Sequence, residues 1–141
     1  MEFNILHVFL AALGAFVAYM VTGGILFAAM PWLKAEFKKH PGVYRDEADL
    51  WKVMPIGMLA MFVSMLVLAL LYAHIPSLAS GLVQGACFGV LIGIFALCAF
   101  VIHNHVNLKI SWSLTIQSGI AYFVEWVMVG IAIGVIYRAL N

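Results

Sequence analysis

The chain has 141 residues, of which 66% are hydrophobic and 9% are charged, with a net charge of +1. An ordinary soluble domain carries about 25% charged residues, and a mean hydropathy of +1.11 leaves too few polar groups to cover a water-exposed surface. These figures exclude a soluble globular enzyme, a disordered chain and a nucleic-acid binder, since no basic field exists to attract a polyanion.

Four long apolar runs, at about residues 5–30, 53–73, 80–102 and 113–137, account for most of the chain. Each holds about 20 residues or more, enough to cross roughly 30 Å of hydrocarbon as a helix. A membrane barrel is ruled out because its strands would alternate apolar and polar residues. The expected fold is all-α: a single-domain integral membrane four-helix bundle with short loops and one amphipathic loop between spans one and two.

The first run follows Met-Glu-Phe-Asn, which has no Lys or Arg, and it is too long for a signal-peptide core, so it reads as a retained span. Pro31 stops it. The segment from Pro31 to Lys52 reads as two short helices. Pro31 occupies a first-turn position, and Trp32, Leu33 and Phe37 are expected in the membrane interface with the lysines in water. Pro41-Gly42 breaks the chain, and the second helix starts with Asp46 as N-cap. Trp51 and Lys52 mark the membrane entry. The segment reads either as a solvated, topology-setting hairpin or as a surface for anionic lipid headgroups.

Orientation follows from Lys and Arg. Lys34, Lys38, Lys39, Arg45 and Lys52 lie between spans one and two, Lys109 lies between spans three and four, and Arg138 stands alone near the C-terminus. The loop from His74 to Ser80 carries neither type. This bias places the basic loop in the cytoplasm and both termini outside, and it argues against dual topology.

Span three contains Gly81, Gly85, Gly89 and Gly93, a strict four-residue repeat, and span four contains Gly130 and Gly134. Such spacing keeps small residues on one helix face and lets a neighbouring backbone approach. The first span offers Ala11, Gly14, Ala15 and Ala18 in addition to Gly23-Gly24. The glycine faces are expected to join span three to another span of the same chain or to a second copy. Cys87 and Cys98 are separated by about 16 Å of helical rise, too far for a disulfide, and read as small apolar packing residues.

Glu125 is the one ionisable residue deep inside a span. A charged carboxylate there costs at least about 2.5 kcal/mol, so the group should face the bundle interior, protonated or hydrogen-bonded. Gln117, Ala121 and Glu125 share a face of span four, with Tyr122 and Met128 about a turn away. Tyr19 and Ser64 lie at similar depth, and Glu125 is expected to contact at least one of them. Two roles fit: a proton- or ligand-binding carboxylate, or a neutral side chain that locks the packing. The cluster His103, Asn104, His105 and Asn107, in the turn after span three, is expected to satisfy exposed carbonyls. It could also form a polar cytoplasmic mouth leading past Gln117 toward Glu125. The two histidines diverge on a helix, and no metal site is expected. His7 and His74, near the outer face, are the one pair to consider for haem; otherwise no cofactor is expected. His40 carries no signal. Motifs for serine hydrolysis, zinc proteolysis and phosphate binding are absent from the sequence.

The His-Asn-His-Val-Asn-Leu stretch, followed by the aromatic- and glycine-rich last span, resembles a family of small uncharacterised four-span proteins of bacterial inner membranes. That resemblance covers spans three and four and implies a bacterial inner membrane and a four-helix bundle, without an activity. The membrane-associated eicosanoid and glutathione enzymes share the outline, but their Arg- and Asn-rich second-span motif is missing here. Small multidrug exporters carry their membrane Glu in the first span, whereas this chain has it in the fourth. Three functions therefore stand in order. The first is a non-enzymatic bundle that associates with itself or with a larger membrane complex through its glycine faces, anchored by Glu125. The second is a small proton- or cation-coupled transporter using Glu125. The third is a lipid- or quinone-modifying enzyme.

Overall fold

A computed structural model of the protein describes residues 4–45, 47–75 and 81–140. The expected cap at Asp46 and the expected start of span three at Ser80 lie outside these residues. The described chain forms α1 (Ile5–Ala29), α2 (Pro31–Lys38), α3 (Glu47–His74), α4 (Leu82–Ala96), a π-helical turn (Leu97–Ile102), α5 (His103–Asn107) and α6 (Trp112–Leu140). Four helices are long and apolar enough to cross a membrane: Ile5–Ala29, Ala48–His74, Leu82–Asn107 and Trp112–Leu140. Large apolar side chains cover their outer surfaces, among them Ile56, Leu59 and Leu91. Such a surface would drive aggregation in water and is what acyl chains accept. The protein is an all-α, multi-pass membrane bundle.

The ends of the helices follow local rules. Asn4 caps α1, its side chain accepting from the Leu6 N–H at 2.9 Å. Met30 closes α1, and Pro31 opens α2 at a position where its missing N–H costs nothing. Ser111 caps α6, its Oγ accepting from the Leu114 N–H at 3.1 Å. Span three runs longer than its apolar stretch. The helix passes through the π-helical turn and continues as α5, so His103–Asn107 is helical, not a turn. Asn107 holds this end by donating from Nδ2 to the His103 carbonyl at 2.9 Å. The second short helix expected between Arg45 and Trp51 is instead the beginning of α3, which continues through Pro55.

The last helix, α6, is the centre of the bundle, packed between α1 and α4, while α3 rests chiefly on α1. Glycines explain the first contact. A Cβ on Gly85 would lie 2.5 Å from the Gly130 carbonyl oxygen, and one on Gly89 would lie 2.7 Å from the Trp126 carbonyl oxygen. Gly93 faces the Phe123 ring, and a Cβ on Gly134 would meet the Gly81 and Gly85 backbones. The four-residue repeat thus seats α4 on α6 of the same chain, backbone to backbone, which lipid alone would not drive. Gly81 itself takes φ 141°, a conformation only glycine adopts readily. Cys87 and Cys98 are both free and exposed, so they face outward instead of packing inside.

Two apolar clusters stack along α6. The larger joins Ala11, Ala12 and Ala15 of α1 to Met65 and Ala69 of α3 and to Val129 and Ile133 of α6. The smaller gathers Leu33, Leu114 and Ala121, with Phe37 and Tyr44 packed against it. Leu33 is 1% exposed. So the apolar face of α2 closes the basic end of the bundle instead of lying in the interface, and of its three expected interfacial residues Trp32 alone is well exposed. A short amphipathic helix with a ready-made apolar hole beside it gains more by filling the hole than by floating. The bundle is open on one side: α3 and α4 do not pack closely together. The bulky Met61, Val67, Leu68 and Leu71 of α3 stand on that side, and nothing lies within 4 Å of a Cβ built on its Gly57.

Candidate functional site

Glu125 lies on α6 between the two apolar clusters, one turn from Ala121 of the smaller and one turn from Val129 of the larger. It is 4% exposed. Its carboxyl rests on α1: a Cβ on Gly23 would lie 2.8 Å from Glu125 Oε1, so glycine there leaves the notch that the carboxyl fills. The Tyr19 hydroxyl, one turn earlier on α1, is the polar neighbour of the carboxyl across the seam. The Tyr19 ring packs on Trp126 of α6, centroids 5.9 Å apart. Glu125 Oε2 has no hydrogen-bond partner. The site is a carboxyl at the α1–α6 seam, with one oxygen set in the Gly23 notch and the other bare.

Of the side chains expected around it, Tyr19 meets Glu125 and Ser64 does not. Ser64 is exposed, and its hydroxyl donates to the Ala60 carbonyl of its own helix at 3.0 Å. Gln117 shares the helix face but turns away, its Nε2 donating to Ser113 Oγ at 2.9 Å while its Oε1 stays buried without a partner. Tyr122 is 41% exposed and opens onto a cleft of about 660 Å³ between α3 and α4. Ser118, Tyr122 and Trp126 of α6 form its floor, Tyr19 reaches it from α1, and Phe37, Tyr44 and Ile110 close its basic end.

The expected polar mouth divides. Asn104 lines the cleft. His103 and Asn107 are exposed on α5, joined by the contact described above. His105 turns inward to α6: its Nδ1 lies 2.8 Å from Thr115 Oγ1, and its ring packs against Trp112, tilted by 33° with centroids 3.7 Å apart. Thr115 Oγ1 also lies 3.1 Å from the Ser111 carbonyl oxygen. Helical geometry thus separates the two histidines. Among the described residues no group of three or more His, Cys, Asp or Glu side chains is placed to hold a metal ion. At the other end, His7 sets its ring edge against Tyr137 at 6.3 Å with Nδ1 buried and unpartnered. His74 is exposed and its Nδ1 lies 2.9 Å from the Leu70 carbonyl oxygen.

Two features carry no linear signal that would have marked them. The first is a latch at the basic end. Glu36 pairs with Lys39 and accepts from the Ser111 hydroxyl at 3.3 Å, while His40 Nε2 accepts from the Ser111 N–H at 3.4 Å. His40, read as silent, therefore ties α2 to the cap of α6. The hydrogen bond from the Lys39 ammonium holds the Glu36 carboxyl below its ordinary value, with Ser111 adding to the effect. The second feature is the cleft. Burial pushes the Tyr44 hydroxyl there upward, so it stays a protonated donor.

No protein-family model, no curated protein and no solved structure matches this chain.

Proposed function

We propose that the protein is a non-enzymatic membrane bundle that works as a self-associating unit or as an accessory subunit of a larger membrane complex, with Glu125 as the polar anchor of its fold. The observation that carries this reading is the seating of the carboxyl. It is buried, it fills a notch cut by Gly23, and it meets Tyr19 across the seam between the first and last spans. A hydrogen bond between membrane helices is worth roughly 0.6 kcal/mol on average and up to about 1.7, enough to fix the rotation of one apolar helix on another where side-chain shape alone is permissive. The glycine faces are occupied within the chain, so association with other chains falls to the remaining lipid-facing surfaces. The setting that suits the charge bias is a bacterial inner membrane, basic end in the cytoplasm and both termini outside.

The test compares Glu125→Gln with Glu125→Ala in purified protein. Gln keeps shape and hydrogen bonding; Ala keeps neither. Retained melting temperature and complex mass in the Gln variant, with loss of both in the Ala variant, support the anchor. Equal behaviour of the two variants overturns it.

The bare Oε2 favours a second reading, in which Glu125 is the proton-binding group of a small transporter. An intramembrane acid serves that role in many proteins. This reading requires pH-driven flux into liposomes that Glu125→Gln abolishes while leaving the fold intact.

A further inference from the structure

The cleft between α3 and α4 is a shaped site with two chemically distinct ends. Its walls are apolar and rich in rings, with Phe95 and Phe100 of the third span facing Met61 and Val67 of α3 over the Trp126 floor. At the basic end three hydrogen-bond donors line it from three directions: Tyr44 from the loop, Asn104 from α5 and Tyr122 from α6. None of these three side chains has a hydrogen-bond partner among the described residues, whereas Ser118, which also lines the cleft, is engaged with the Leu114 carbonyl at 2.7 Å. No charged side chain lines the cleft among the described residues. The π-helical turn forms the wall beside Asn104, seated on Gly119 of α6, where a Cβ would lie 3.1 Å from a Leu97 methyl carbon. Such turns recur where a helix is reshaped around a site.

Chemistry decides between occupants. The cleft extends from Ile92 to Asn104, about 18 Å at helical rise. A helix of a second copy satisfies its own backbone acceptors and would leave the three donors unpaired, and the bulky Met61, Val67, Phe95 and Phe100 hold a second backbone away. A phospholipid would bring a phosphate to an end with no cation in its lining. A volume of about 660 Å³ suits one compact ligand, and the three donors ask for a neutral head that accepts hydrogen bonds. Ring walls suit a flat head, and the apolar far end suits a hydrocarbon tail.

We infer that this cleft binds a neutral prenylated quinone or a lipid of the same chemistry, its ring carbonyls at Tyr44, Asn104 and Tyr122 and its tail running between α3 and α4 toward Leu71. The inference concerns binding alone and is independent of the role of Glu125. Trp126 lines the cleft and serves as reporter. Titrating the full-length protein in detergent with decylubiquinone gives saturable quenching of tryptophan fluorescence. Trp126→Phe removes most of the saturable part. Tyr122→Phe, which deletes only the hydroxyl, raises the Kd roughly 2- to 12-fold. Ala96→Phe, which fills the cleft, abolishes saturation; it is read only if its melting temperature matches the wild type, and Asn104→Leu supplies the same test without adding bulk, raising the Kd over the same range. Quenching that rises linearly and equally in wild type and all variants overturns the site. Displacement of the quinone by decanol at equal concentration overturns the assignment of the head group.

Discussion

Replacing Gly89 by alanine puts a methyl group where the backbone of the last helix already sits. The added carbon would lie 2.7 Å from the Trp126 carbonyl oxygen and 2.8 Å from Val127 Cα. Ordinary van der Waals contact begins at 3.4 Å, so α4 and α6 must part by about 0.7 Å (3.4 − 2.7). Neither contact is the tip of a side chain that can swing aside. A gap of that size forfeits roughly a quarter to a half of the attraction between the facing atoms, and overpacking of this kind costs about 1–3 kcal/mol. Gly24 is the control: nothing lies within 4 Å of its added Cβ, and alanine there gains up to about 1 kcal/mol of helix propensity. Thermal unfolding of both variants in one detergent should therefore move in opposite directions. A Gly89→Ala protein that melts with Gly24→Ala would refute backbone-to-backbone packing of these two spans.

Three other outcomes follow from the closed basic end. Ser111→Ala removes the side-chain cap of α6 and the hydroxyl tie to Glu36, leaving the main-chain tie to His40, and should cost about 1 kcal/mol in unfolding free energy, the usual cap effect; a neutral result would show that the cap carries no stability. Leu33→Ala empties a fully buried position and should cost about 2–5 kcal/mol, with earlier protease cleavage in the loop after α2; unchanged melting would return α2 to the membrane interface. Glu36 has its carboxyl value lowered from 4.5 in the folded chain by Lys39 and Ser111. Its contribution is therefore complete above the ordinary carboxylate value and is lost as pH falls through the lower folded one. Fluorescence of Trp112, next to Ser111, should show this acid step, and Glu36→Gln should erase it; a step that survives the substitution belongs to another group.

The crossing helices were legible because apolar length is a property of the linear chain. So was the burial of Glu125, since an acid at mid-span has nowhere else to go. Depth, however, says nothing about the direction a side chain points. Tyr19 and Ser64 sit at similar depth, yet only Tyr19 faces the carboxyl, while Ser64 satisfies itself on the Ala60 carbonyl. The pattern of α2 is the same whether its apolar face enters lipid or the end of a bundle, so the burial of Leu33 needed the hole above Leu114 to be known. His103–Asn107 reads as a turn because it is polar, but polar side chains that bond their own main chain let a helix continue past the apolar stretch. The glycine repeat announced a close approach without naming its partner. The cleft was invisible, because no linear pattern shows which two helices fail to touch.

The most direct measurement of the anchor is a double-mutant cycle on Tyr19→Phe and Glu125→Met, read as unfolding free energy in one detergent. Each change keeps its ring or chain in place, so the coupling isolates the contact across the α1–α6 seam. A favourable coupling of about 0.6–1.7 kcal/mol is the predicted result. Strict additivity of the two changes would mean that carboxyl and hydroxyl merely lie side by side, and would contradict a polar anchor between the first and last spans.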